Sequence, residues 1–231
     1  MREPRLSIIV PSLNEAAHIA ATLAPLQAMR ARGVEVIVAD GGSNDETKTL
    51  AQPLADRVID APRGRARQMN AGAKASTGNV LLFLHADSRL SPNAGNDIAI
   101  ATQRGARWGR FDVSITGTSA MFPVIAWFIN HRSRWSGIAT GDQGLFVARD
   151  VFDALGGFPD QPLMEDIEFC KRAKRFGAPA CLDVRIETSG RRWEKHGVFN
   201  TIVLMWALRA RYFFGEAPES LHRAYYGKAA P

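Results

Sequence analysis

Apolar residues along this chain fall into two alternating kinds of run. Leu6–Val10, Val34–Ala39 and Val80–Leu84 are short and unbroken, bounded by glycine, proline or acidic residues. Such runs read as strands buried on both faces. Between them lie longer stretches with apolar positions at helical spacing: Ala16–Arg30, stopped by Gly33; Glu46–Leu54, capped by Ser43 or Asn44; and Gly64–Ala75. Pro11 is expected to end the first strand, and Arg57–Asp60 adds a short third. Ser91–Arg104, Val151–Leu155, Met164–Arg175 and Val198–Phe214 are further helices, while Trp108–Ile115, Leu145–Ala148 and Cys181–Val184 are further strands. This order predicts an α/β fold: a mostly parallel, Rossmann-like central sheet with helices on both faces. No repeat, low-complexity run or linker interrupts it, so residues 1–231 are expected to form one domain.

Composition narrows the class. A chain of 231 residues can bury roughly 70–75% of its unfolded surface. With 46% hydrophobic and 23% charged residues, disorder is excluded. A net charge of +6 suits anionic partners without choosing among them. The two cysteines, Cys170 and Cys181, have neither disulfide-framework nor zinc spacing, so a cytoplasmic location is the default expectation. The first apolar run is too brief for a signal peptide, and no segment reaches the roughly 20 apolar residues of a membrane span.

The chemistry gathers at strand ends. The run Val80–Leu84 gives way abruptly to His85-Ala86-Asp87, and the second strand ends in Asp40. Ligands of open α/β sheets bind just outside such ends. Asp40 and Asp87 are expected on neighbouring strands, with Arg63, Arg65 and Arg67 opening the helix between them. A helix amino terminus and arginines favour phosphate. Asp87 would repel a diphosphate unless a divalent cation bridges the two, and oxygen ligation suits Mn2+ or Mg2+. Together these describe a nucleotide-diphosphate site. Glu165 and Asp166 open a later helix; a carboxylate there either complements the helix dipole or accepts a proton from an attacking hydroxyl.

The ordered series I-I-V-P-S-L-N-E, A-D-G-G-S-N-D-E-T, G-R-A-R-Q-M-N-A-G-A-K-A-S-T-G, L-L-F-L-H-A-D and G-G-F-P…M-E-D-I-E-F-C-K-R-A-K-R-F-G resembles the inverting glycosyltransferases of family 2, which have the GT-A nucleotide-sugar fold. With H-A-D in place of D-x-D, it is also similar to a small bacterial radical-SAM/selenodomain-associated subgroup. The resemblance implies a nucleotide-binding half over about 1–115 and an acceptor-binding half with a C-terminal helix over about 116–231. It implies that Pro11, Asn14 and Glu15 line the nucleotide pocket, that Asp40 bonds the base, and that Arg67 and Asn70 face the nucleotide. Asp87 becomes the metal ligand and Asp166 the catalytic base, with Glu165 beside it. His85 takes the first aspartate's place and is left to bond a ribose hydroxyl. Ser189-Gly190-Arg191-Arg192-Trp193 is similar to a Q-x-x-R-W element without its Gln, which assigns Arg192 to the diphosphate and Trp193 to the acceptor. His196 is a candidate further metal ligand, or an ordinary loop histidine. Asp142 and Gln143 are candidate acceptor contacts, or a polar turn.

The implied activity is inverting transfer of a hexose from a nucleotide-diphosphate sugar, UDP-linked by family habit, to an unidentified hydroxyl. A sugar nucleotidyltransferase would need glycine after strand one, where Pro11-Ser12-Leu13-Asn14-Glu15 has none. A catalytically inactive nucleotide-sugar-binding or membrane-surface protein is opposed by the intact Glu165-Asp166 pair. Nucleic acid is not an expected partner, because the arginines do not interleave with aromatics. Met121–Ile129 and Phe199–Phe214 are core helices or homodimer contacts on the plainer reading. On the other, they form a peripheral attachment to the inner face of the membrane that meets a lipid-linked or hydrophobic acceptor.

Overall fold

A computed structural model describes residues 5–227, so the expected domain bounds at 1 and 231 lie outside the described residues. An eight-stranded sheet runs β3-β2-β1-β4-β7-β6-β8-β5. Its members are β1 (Leu6–Ser12), β2 (Glu35–Asp40), β3 (Arg57–Asp60), β4 (Val80–Phe83), β5 (Ser88–Arg89), β6 (Trp108–Thr116), β7 (Leu145–Ala148) and β8 (Ala180–Ser189). The first four in space are parallel, β7 is antiparallel to both of its neighbours, and β6 and β8 are parallel to each other.

Two expectations change at once. Pro11 does not end β1: it pairs with Ala39 inside the strand, which continues to Ser12. Asp40 and Asp87 do not leave neighbouring strands, because β1 lies between β2 and β4. The crossover β1–β2 winds one way and β3–β4 returns to the other side of β1. That reversal opens the crevice where ligands of such sheets bind.

Eleven helices are found among the described residues, several shorter than the sequence suggests. Pro25 divides the expected Ala16–Arg30 helix into α1 (Ile19–Leu23) and α2 (Gln27–Arg30), joined by a tight turn. Neither Ser43 nor Asn44 caps α3 (Thr47–Ala51), whose N-cap is Glu46. α4 (Arg65–Ala75) lies so close to β1 that a Cβ on Gly72 would enter Ile9. Its Gln68 donates to the carbonyls of Ser12 and Ala39, tying the helix to two strand ends. α5 (Ala94–Gln103), α6 (Phe122–Ser136), α7 (Arg149–Ala154), α8 (Glu165–Ala173), α9 (Arg191–His196), α10 (Val198–Phe213) and α11 (Pro218–Tyr226) follow. Of these, α9 and α11, with the strand β5, carry no signal that the hydrophobic pattern resolves.

One core covers each face of the sheet. Ile8, Val10, Val36, Val38, Leu82 and their neighbours form one layer, and Ile9, Leu81, Phe83, Val147 and Phe169 belong to the other. The alternation of Ile8 and Ile9 between layers is the period-two geometry of a strand buried on both sides. A third cluster, Leu163, Met164, Ile167, Leu208 and Leu221, fastens the start of α8 to α10 and α11.

The core reading of the two long apolar segments is only half met. α6 buries Phe122, Ile125, Ala126, Asn130 and Ser133 but turns Trp127, Phe128 and Trp135 outward, the last 85% exposed. On α10, Phe199, Val203 and Trp206 are exposed as well, with Phe213 and Phe214 beyond them. No helix among the described residues is long and apolar enough to cross a membrane.

Candidate active site

Four segments meet beyond the carboxyl end of β4. A small cavity there is lined by Arg65 at the start of α4, His85 after β4, Gly141 in a turn before β7, and Glu165 and Asp166 at the start of α8. Phe83, Leu145 and Phe158 form its apolar floor. The strand-end residue and the two later acids, far apart in sequence order, therefore share one rim.

Asp166 is held by two backbone donors. Its Oδ2 accepts from the N–H of Gly141 at 2.8 Å, and its Oδ1 from the N–H of Ile167 at 2.7 Å. Glu165, 2% exposed, meets Arg65 at 3.4 Å between Oε1 and Nη1. Burial raises the pKa of the Glu165 carboxyl, Arg65 opposes the rise, and Asp166 adds to it. Met164, just before the pair, has φ of 65°, a left-handed conformation rare for a bulky residue. Such strain persists where surrounding contacts over-determine it, and the Leu163–Leu221 cluster supplies them.

His85 faces the same cavity. Its Nε2 is buried without a hydrogen-bond partner. Burial, reinforced by Arg65, pushes its pKa down to about 3, so the ring is neutral. Asp87, two residues on, lies 3.4 Å from Arg191 Nη2, which also bonds Glu15 Oε1 at 2.8 Å. Burial raises the pKa of Asp87 against the pull of Arg191, and Glu15 raises it further. Glu15 keeps its other oxygen, Oε2, buried and without a partner. Asn14 adopts φ of 54°, donates its N–H to Ser43 Oγ and accepts from the N–H of Asn44.

Several expected residues are occupied otherwise. Asp40 is fully buried and accepts from the N–H groups of Gly42 and Ser43 and the hydroxyls of Ser43 and Ser12. It shapes the loop after β2, and a direct bond to a base would cost it one of these four. Pro11 is buried in the strand. Arg67 turns outward to Asp160 at 2.7 Å. Asn70 spends both ends of its amide on the backbone of Phe158, holding that loop to α4. Gln143 is fully buried and bonds Ser133 Oγ, so it lies below the surface where an acceptor would be met. Asp142, beside it, has Oδ1 buried without a partner.

Arg192 lies 3.5 Å over the Tyr225 ring and donates to the Tyr225 carbonyl, so α11 pins it. Trp193 is half-buried and His196 is exposed at the end of α9. Among the described residues, no group of three His, Cys, Asp or Glu side chains is arranged to hold a metal, so His196 completes no such set.

Arg65, one of the three arginines expected at the start of α4, lines the cavity, and Arg191, to which the sequence assigns no role, meets Asp87 and Glu15. Arg65 shares a helix face with Gln68, Met69 and Gly72, all buried, while Arg67 lies off that face; the i, i+3, i+4 register distinguishes them. Arg191, not its neighbour Arg192, reaches Asp87 and Glu15, and no spacing rule announced that.

Residues 7–149 match the model of glycosyl transferase family 2. The chain belongs to that family. A PGL/p-HBAD biosynthesis glycosyltransferase of Mycobacterium bovis is 39% identical over 97 residues, an alignment covering 39% of this chain and 38% of the relative. The chain thus aligns with well under half the length of that curated relative. Among solved structures, the mannosyltransferase PcManGT of Pyrobaculum calidifontis, in complex with GDP-Man and Mn2+, is similar at a TM-score of 0.65. It is 20% identical, with coverage of 100% of this chain and 72% of that one. TarS 1-349 of S. aureus, in complex with UDP-GlcNAc, gives a TM-score of 0.64 at 17% identity, covering 80% of this chain and 58% of that one. These likenesses give this family 2 glycosyltransferase the GT-A fold.

Proposed function

We propose that this family 2 glycosyltransferase moves a sugar from a nucleotide-diphosphate sugar to an acceptor hydroxyl, with inversion at the anomeric carbon. The observation that carries the reading is the shared rim of His85, Arg65, Gly141, Glu165 and Asp166 beside Asp87. Residues 1–115 carry the donor and residues 116–231 meet the acceptor. Asp166 is the general base: two backbone N–H bonds fix its carboxylate, and it takes the proton as the hydroxyl oxygen attacks. One displacement leaves no covalent sugar–enzyme stage, hence inversion. Glu165 orients Arg65 through their ion pair. Arg65 and Arg191 face the charge that develops on the departing diphosphate. His85, neutral, offers an unpaired ring nitrogen to a ribose hydroxyl.

A divalent cation fits this donor set in one way. The site offers the Asp87 carboxylate, with the unpartnered Glu15 Oε2 near it, which suits an Mg2+ or Mn2+ ion held mainly by substrate phosphates. Bound there, such a cation would neutralise diphosphate charge. PcManGT is described with GDP-Man and Mn2+ and TarS with UDP-GlcNAc, so the fold accommodates either base. The H-A-D triplet keeps the chain beside the radical-SAM/selenodomain-associated subgroup.

The test is a panel of UDP- and GDP-sugars with Mn2+, read by thermal shift and then by release of the nucleotide diphosphate. A melting point raised by one donor, with turnover of that donor, is the expected result. No shift with any donor overturns the reading.

A further inference from the structure

Near Asp166 lies a second set of charged groups, Arg132, Arg209 and Asp142. Arg132 on α6 has Nε and Nη2 buried with no hydrogen-bond partner. Arg209 on α10 lies close enough to repel it, and both guanidiniums feel the carboxylates of Asp142 and Asp166. Burial first, then Arg209, pushes the pKa of Arg132 down to about 10. Asp142 Oδ1 is buried and unpaired too. Buried polar atoms are nearly always bonded, so a cluster of orphans asks for a missing partner. The unsatisfied Nε–Nη2 edge of Arg132, with the Arg209 charge close by, wants an anion, and phosphate matches such a fork. An unpaired carboxylate oxygen beside them wants a hydroxyl proton.

The same Arg132 lines a groove of about 430 Å³ whose other walls are Trp127, Phe128 and Trp135. That volume is within the roughly 300–1,000 Å³ typical of small-molecule sites. Trp127, Phe128 and Trp135 are 51%, 58% and 85% exposed, though each is a residue that burial would favour. Helical spacing sets Phe128 one turn before Arg132 and Trp135 one turn after it, so apolar wall and cationic end are continuous.

We infer that Arg132 and Arg209 bind the anionic head of the acceptor, and that the α6 groove takes its apolar tail. The acceptor is therefore an amphiphile bearing a phosphate and a free hydroxyl, with the hydroxyl delivered between Asp142 and Asp166. This rests on Asp166 being the acceptor-side base. The transfer balances as before: the hydroxyl oxygen bonds the anomeric carbon, its proton goes to Asp166, and the nucleotide diphosphate leaves with the electron pair.

The experiment is calorimetry of the full chain without donor, against three molecules built from the same parts and each kept below its micelle concentration. Decanoyl lysophosphatidic acid has phosphate, hydroxyl and tail; glycerol 3-phosphate lacks the tail; monodecanoylglycerol lacks the phosphate. The first should bind at least tenfold tighter than either fragment. Arg132→Gln should bring it to within about threefold of monodecanoylglycerol and leave the latter's affinity unchanged. Arg209→Gln serves the same purpose should Arg132→Gln melt early. Phe128→Ser with Trp135→Ser should instead bring the lysophosphatidic acid down to the affinity of glycerol 3-phosphate. Equal binding of lysophosphatidic acid and monodecanoylglycerol overturns the inference, as does no binding at all, or a phosphate preference that survives in a folded arginine variant. Because no donor is present, failure here leaves the donor reading standing, and a failed donor panel leaves this result standing.

Discussion

The N–H of Gly141 donates to Oδ2 of Asp166 at 2.8 Å, and the other side of the same glycine lies against the His85 imidazole. One small residue thus spaces the proposed base from the strand-end histidine. A Cβ at position 141 would run into His85 Nε2, so Gly141→Ala must push either the ring or the turn. Overpacking of this kind costs about 1–3 kcal/mol. Denaturant unfolding should show that loss, and His85→Ser combined with Gly141→Ala should recover most of it. Additive effects in the double variant would mean that the two residues do not meet.

Asp166→Asn keeps the shape of the side chain and an oxygen for the Gly141 N–H, but removes the basic carboxylate. General-base catalysis is worth roughly 10²–10⁴-fold. Turnover should fall by about that factor, while the affinity for donor nucleotide stays within about twofold. A variant with unimpaired turnover would take Asp166 out of the base role.

Asp87→Ala acts on the other half of the site. It removes the carboxylate that Arg191 shares with Glu15. Donor binding measured by calorimetry should lose its dependence on Mn2+, and affinity in the presence of Mn2+ should drop at least tenfold. Unchanged affinity with Mn2+ would count against a metal held by Asp87.

These contrasts show where the sequence is explicit. The parallel half was readable because Leu6–Val10, Val34–Ala39 and Val80–Leu84 are bounded apolar runs, and a strand buried on both faces leaves no other pattern. Glu165 and Asp166 were readable as a pair at a helix start, since α8 begins at Glu165. Pro11 misled, because a proline at the end of a parallel strand loses only a donor that the sheet did not need there. The assignments of Arg67, Asn70 and Gln143 depended on which way a side chain turns, and that is settled by packing: Asp160 draws Arg67 outward, while the Phe158 backbone claims Asn70. α11 was invisible because its buried contact is the single residue Leu221, with Tyr225 packed alongside. Its effect on Arg192 is a long-range one that no local pattern encodes.

The two cysteines differ in a way a thiol reagent can read. Burial pushes the Cys170 thiol up to about 12, and its Sγ rests against the carbonyl of Ala139. Cys181 is half-buried on β8. Since the thiolate is the reactive form, alkylation at pH 8 should label Cys181 alone in the folded chain and both in denaturant. Mass spectrometry showing native Cys170 labelled as fast as Cys181 would contradict the packing of α8 against the sheet.

Glu165 gives a prediction with a definite sign. Burial raises its pKa in the folded chain, Arg65 pulls the other way, and Asp166 raises it again, leaving a net rise. In the unfolded chain a glutamate titrates near about 4.3. Between that value and the raised folded one, the folded state holds a proton that the unfolded state has released. Stability from this group is therefore present below the unfolded pKa and is lost as pH climbs through the folded one. Glu165→Gln cannot titrate, so its melting temperature minus that of the wild type should increase as pH rises from about 4. Arg65 stays charged throughout, so losing its partner shifts the whole difference curve without tilting it. Parallel melting profiles for the two proteins would show that Glu165 ionises as freely in the fold as outside it. A tilt of the expected sign would mark Glu165 as a carboxylate kept charged at some cost to the fold, as groups serving a site often are.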